Sequence, residues 1–156
     1  MMATVVAARW KGFGTAWVAL TVSLAAHVVD EAVTGFLDVY NPIVRSLRGR
    51  FAWFPMPVFT FDVWITGLCA LVIVLLALSP LAFRRSRFVR IAAYPYAAIM
   101  LLNGLGHLVG SVYLHRWAPG ATTAPFLIAA SLWLFAAAAH DDLSPGHSTR
   151  HGTLKV

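Results

Sequence analysis

The 156-residue chain is 60% hydrophobic and only 12% charged, with a mean hydropathy of +0.75. A water-soluble domain carries roughly a quarter charged residues, so this chain lacks the polar side chains to cover its own surface, and lipid must be the solvent for much of it. Its net charge of +6 sits in short Lys/Arg clusters beside apolar runs, a placement that serves membrane topology and anionic headgroups and argues against a nucleic-acid partner.

Crossing a bilayer as a helix takes about 20 apolar residues. Four segments qualify, at about 15–37, 58–82, 89–114 and 122–139. They make an all-α membrane domain over residues 1–140, a bundle of four transmembrane helices. The first span follows a weak positive cluster without a small-residue cleavage site and reads as retained. Asn41-Pro42 is expected to end it. Inside it, His27-Val28-Val29-Asp30-Glu31 puts an imidazole and two carboxylates at bilayer depth, where each charge costs at least ~2.5–3.5 kcal/mol.

Residues 41–57 interleave Arg45, Arg48 and Arg50 with Ile43, Val44, Leu47, Phe51, Trp53 and Phe54. Such a stretch reads as a short amphipathic interfacial segment or lid, or equally as a loop with a snorkelling Arg face. The second span opens after Pro55-Met56-Pro57 and closes at Ser79-Pro80, with Asp62 near its start. Cys69 is the single cysteine, so there is no disulfide framework. The third follows the basic knot at 84–90 and carries Asn103 and His107. The fourth follows the Ala118-Pro119-Gly120 turn. Residues 141–156 read as a polar, disordered tail. His147 and His151 there are spaced like a metal pair but read as solvated.

With four spans, both termini share a side with the second-to-third loop. Arg9, Lys11, Arg84, Arg85, Arg87, Arg90, Arg150 and Lys155 fall there, against Arg45, Arg48, Arg50 and Arg116 on the other side. Eight against four places both termini in the cytoplasm.

Depth ties the polar residues together. At ~1.5 Å per residue, Glu31, Asp62 and His107 lie within about 5 Å of one another in depth, with His27 and Asn103 about a turn deeper. His27 with Glu31, and Asn103 with His107, are i, i+4 pairs, each on one helix face. Asp30 lies about 60° from His27, on the flank. Gly104, Gly106 and Gly110 leave the third span bare enough for close backbone approach. The expectation is one pocket holding His27, Glu31, Asp62, Asn103 and His107.

The chain resembles a family of small bacterial membrane proteins named for a His-x-x-Glu-Glu motif, here His27-Val28-Val29-Asp30-Glu31 with Asp in place of the first Glu. Asn103-x-x-x-His107 and the stretch from Tyr113 through Pro119-Gly120-Ala121-Thr122-Thr123-Ala124 are similar to that family's later segments. This resemblance implies a site, not a reaction. A weaker similarity is to membrane sterol isomerases and small terpene cyclases.

Two chemistries fit the residues. His27, Glu31 and His107, with Asp30 or Asp62, could hold a divalent metal, Zn or Fe. Alternatively a buried acid of the Asp30–Glu31 pair protonates a lipophilic substrate, with His27 or His107 orienting it. In either case Asp62, Asn103, Trp53 and Phe54 would contact the substrate, with Phe51, Trp53 and Phe54 as an apolar gate. The competing classes are a structural partner subunit, where buried pairs only hold helices together, and a proton- or ion-coupled transporter. Four short spans without a detectable inverted repeat leave little room for alternating access unless the chain forms a homodimer. The leading expectation is a cell-membrane enzyme acting on a lipid or isoprenoid-like molecule.

Overall fold

The structure, a computed structural model, describes the backbone of residues 2–142 and the side chains of residues 12–140. The expected tail with His147 and His151 lies outside the described residues beyond Asp142. Among the described residues six helices follow in order: α1 (Met2–Thr34), α2 (Phe36–Arg50), α3 (Phe61–Ala77), α4 (Ser79–Phe83), α5 (Arg87–Tyr113) and α6 (Ala124–Asp142). Among the described residues three segments are long and apolar enough to cross a membrane: Gly12–Thr34, Phe61–Phe83 and Arg87–Tyr113. A fourth apolar stretch, Ala124–His140, is shorter.

The helix boundaries differ from expectation in two places. The chain leaves α1 at Gly35, whose φ of +76° is a left-handed conformation that costs a residue with a Cβ about 1–2 kcal/mol. Asn41-Pro42, expected to end that helix, lies instead inside α2. Pro42 cannot donate to the Asp38 carbonyl, but Asp38 is exposed and solvent can take the bond. Likewise Ser79-Pro80 opens α4 rather than stopping the segment, because proline is tolerated in a first helical turn.

α6 packs against both α1 and α5, which touch each other little. The buried positions show why. On α1, Phe13, Trp17, Leu20, Leu24 and Val28 repeat at helical spacing; on α5, Val89, Ala93, Ala97, Met100, Gly104 and His107 do the same. Leu127, Ala130, Leu134 and Ala138 of α6 fill the space between them. Small residues allow close contact where apolar surroundings give little hydrophobic drive. Gly104 is one such point: a Cβ there would lie 3.1 Å from the Ala124 carbonyl oxygen. α3 buries only Trp64 and Leu75 and otherwise presents apolar side chains outward.

α6 begins late, at Ala124, so at that end of the bundle its place between α1 and α5 is taken by the turn at residues 118–123. α2 lies across this end. Its Arg45, Arg48 and Arg50 are exposed and Val44 is buried. Asn41 fastens it, giving and taking a hydrogen bond with the Phe59 backbone at 2.9 and 3.0 Å.

Candidate metal centre between α1, α5 and the turn into α6

His27 and Glu31 stand one turn apart near the end of α1, and His107 faces them from α5. All three are buried, at 0%, 4% and 8% exposure. The Glu31 Oε1 atom lies 3.0 Å from His107 Nε2 and 3.6 Å from His27 Nε2. The two imidazole rings meet edge to face with centroids 4.6 Å apart. One ligand atom from each residue lies within 4.8 Å of the others.

The turn into α6 holds this arrangement. Gly120, at φ +80°, lets it pass close behind the cluster: a Cβ there would lie 2.8 Å from His107 Cε1 and 3.0 Å from Glu31 Cγ. The Pro119 carbonyl accepts a hydrogen bond from His107 Nδ1. Thr123 lies 2.8 Å from His27 Nδ1 through its hydroxyl. Both the backbone N–H and the hydroxyl of Thr123 donate to Asp30 Oδ2 at 3.0 Å.

Proton accounting follows from these partners. A carbonyl only accepts, so His107 Nδ1 carries a hydrogen and the neutral ring has its lone pair on Nε2. Thr123 has a single hydroxyl hydrogen and gives it to the Asp30 carboxylate. His27 Nδ1 is then the donor to Thr123 Oγ1, and His27 too has its lone pair on Nε2. That Nε2 is buried and has no hydrogen-bond partner. Both Nε2 atoms therefore converge on one carboxylate oxygen, with the Asn103 side chain beside His27.

Such a set could hold a cation. A single proton on the line between His107 and Glu31 would satisfy those two and leave His27 Nε2 bare. A metal ion engages all three. Imidazole Nδ1–H bonded to a carbonyl or hydroxyl oxygen is the usual support for an Nε2 ligand, since it fixes tautomer and ring orientation. The donor set thus fits a divalent metal.

Asp30 sits beside the centre rather than in it. Its carboxylate reaches across to cap the start of α6 at Thr123, whose hydroxyl links it to His27. Asn103 interacts with His27 and, with His107, lines a cavity of about 530 Å³ between α2 and α5. The rest of that lining is almost wholly apolar, including Ile43, Val44, Leu47, Phe54 and Leu102. Gly106 and Gly110 form part of its wall, and a Cβ on either would meet nothing within 4 Å. These two glycines make space for the cavity; of the three, Gly104 is the one that brings a neighbouring helix close.

Two expected residues stand apart. Asp62 is exposed in the first turn of α3 and is absent from the lining of the cavities around the cluster. Trp64, two positions on, faces inward, which turns Asp62 to the opposite side of the helix; a carboxylate there also suits the positive end of the helix dipole. Trp53 is 78% exposed and is absent from the lining of the cavity to which Phe54 contributes. Sequence reasoning missed Thr123, Pro119 and Gly120 as supports. The Pro-Gly turn signal and the resemblance both covered that stretch, yet neither says where its carbonyl and hydroxyl point. Phe36, packed 5.6 Å from the His107 ring, was missed as well.

No curated protein and no solved structure matches the chain significantly. A family profile described as "Protein of unknown function with HXXEE motif" matches residues 17–134, a stretch that holds His27, Asp30, Glu31, His107 and the supporting turn. The chain belongs to this HXXEE family.

Proposed function

We propose that this protein is a membrane-embedded metalloenzyme acting on a lipophilic molecule, with His27, Glu31 and His107 holding one divalent ion. The observation that carries the reading is the buried, partnerless Nε2 of His27, aimed with a second Nε2 at one carboxylate oxygen. Two imidazoles and a carboxylate suit Zn or Fe(II) and leave coordination positions open for reactants. A bound ion would supply Lewis acidity or redox chemistry at that point. The chain's own contribution is orientation of the ligands and of the substrate. Pro119 and Thr123 fix the imidazole tautomers, Asp30 fixes Thr123, and the apolar cavity beside His107 and Asn103 seats the hydrocarbon part of the substrate.

In this reading residues 1–140 form one domain of four membrane-crossing helices in the cell membrane. α6, at ~1.5 Å per residue, nearly matches the ~30 Å hydrocarbon core. The excess of basic residues puts both termini in the cytoplasm, and α2 lies in the opposite interface with Arg45, Arg48 and Arg50 toward the headgroups.

Metal analysis of detergent-purified protein tests this directly. Wild type loaded with Zn or Fe(II) and then dialysed should retain close to one ion per chain. His27→Ala and Glu31→Gln should retain none, with melting temperatures of the metal-free proteins little changed. Metal-free wild type, together with a melting temperature that falls in both variants, would identify the cluster as helix-to-helix glue and sink the metalloenzyme reading.

A further inference from the structure

The cluster is flanked by two cavities of opposite character. On the His107 side lies the apolar cavity between α2 and α5, with no carboxylate in its lining. On the Glu31 side lies a second cavity of about 330 Å³, lined by Glu31, Asp38, Asn41, Phe59 and Trp64 among others. Phe36 is the one residue common to both linings. Its ring packs nearly parallel to Tyr40 and Trp64, with centroids 5.3 and 5.8 Å away, and lies 5.6 Å from the His107 ring. Gly35 sets this position, because the left-handed turn there swings Phe36 back toward α5 instead of letting α1 continue outward.

We infer that the centre is served by two separate compartments, an apolar one for hydrocarbon and a polar one for water, with Phe36 as the partition. The assignment of hydrocarbon rests on the proposed function; that of water rests on the second cavity alone. An ordered water needs two to four polar partners. The second cavity offers the carboxylates of Glu31 and Asp38, and Asp38 is exposed, which connects it to the aqueous phase. Water in the first cavity would find few partners, so that cavity stays dry. A lipophilic reactant and a water-borne one therefore approach the same buried cluster from different phases, and water is the second reactant that the geometry admits to Glu31.

Thiol accessibility tests the partition without reference to metal content or activity. The native Cys69, exposed on α3, is first replaced by Cys69→Ala. In that background Ala32→Cys places a thiol in the polar cavity lining and Gly106→Cys or Gly110→Cys places one in the apolar lining. The probe is a positively charged, membrane-impermeant methanethiosulfonate reagent, with full labelling after denaturation as the reference. Ala32→Cys should label at least about tenfold faster than either glycine variant, because the reagent needs both aqueous access and a thiolate. Adding Phe36→Ala should open Gly106→Cys to the same reagent. Slow labelling at position 32, or equal labelling at 32, 106 and 110, would overturn the two-compartment assignment. Failure of Phe36→Ala to raise labelling at 106 and 110 would remove Phe36 as the partition. None of these results alters the metal analysis, so the two proposals fail separately.

Discussion

The two ends of the bundle bury polar side chains in opposite ways. At the far end, Thr21 and Ser131 donate to the carbonyls four residues back in their own helices, at 2.9 and 2.7 Å. Trp17 Nε1 donates to the Leu75 carbonyl at 2.9 Å, and the Tyr96 hydroxyl reaches Thr21 Oγ1 at 3.3 Å. Each of these four donors meets an acceptor, which is what a satisfied apolar core demands. At the other end the two ring Nδ1 atoms face Thr123 and Pro119, and both Nε2 atoms turn inward on the Glu31 carboxylate. Burial of a polar group is thus no mark of function in itself. The mark is the direction in which its hydrogens and lone pairs are spent.

Three substitutions sharpen or break this contrast. Gly120→Ala should have the largest effect, because it both strains a left-handed position and drives a methyl group into His107 and Glu31. It should lower the melting temperature by the equivalent of about 1–3 kcal/mol and strip bound metal together with stability. Retention of metal and stability in that variant would mean that the turn has freedom to move away from the cluster. Next comes Thr123→Val, which keeps the shape of the side chain but removes the acceptor for His27 Nδ1. Metal affinity, measured by competition with a chelator, should fall about 10–100-fold while the fold persists. Smallest is Trp17→Phe at the far end. Loss of its bond to Leu75 should cost about 1 kcal/mol of stability in thermal unfolding and leave metal content unchanged. Equal metal loss in the Trp17 and Thr123 variants would erase the distinction between the two ends.

Much of this arrangement is legible in the chain itself. Apolar runs bounded by basic and proline-containing stretches mark the helices, and the i, i+4 spacing of His27 with Glu31 and of Asn103 with His107 marks two faces at similar depth. The meeting of His27, Glu31 and His107 follows from those two facts. Asp62 shows where depth alone misleads, since rotation about α3 decides the matter and Trp64 takes the inward face. Asp30 shows a different limit. Its place in the motif invites a role on the reactants, whereas its partners are the N–H and hydroxyl of Thr123, 93 positions away. The break at Gly35 and the passage of α2 through Pro42 also escape a local reading, because proline removes one hydrogen bond while a positive φ redirects the whole chain.

The apolar cavity owes part of its room to two missing side chains on α5. Gly106 and Gly110 sit one turn apart on its wall with open space where a Cβ would be. The length and girth of the cavity are then set at two positions where a Cβ would meet no neighbour within 4 Å. Such positions are free to drift without endangering the fold. A lineage could shorten the chamber with Ala or Ser, or close it with Leu, and so change its clientele in small steps while the buried imidazoles and carboxylate stay as they are.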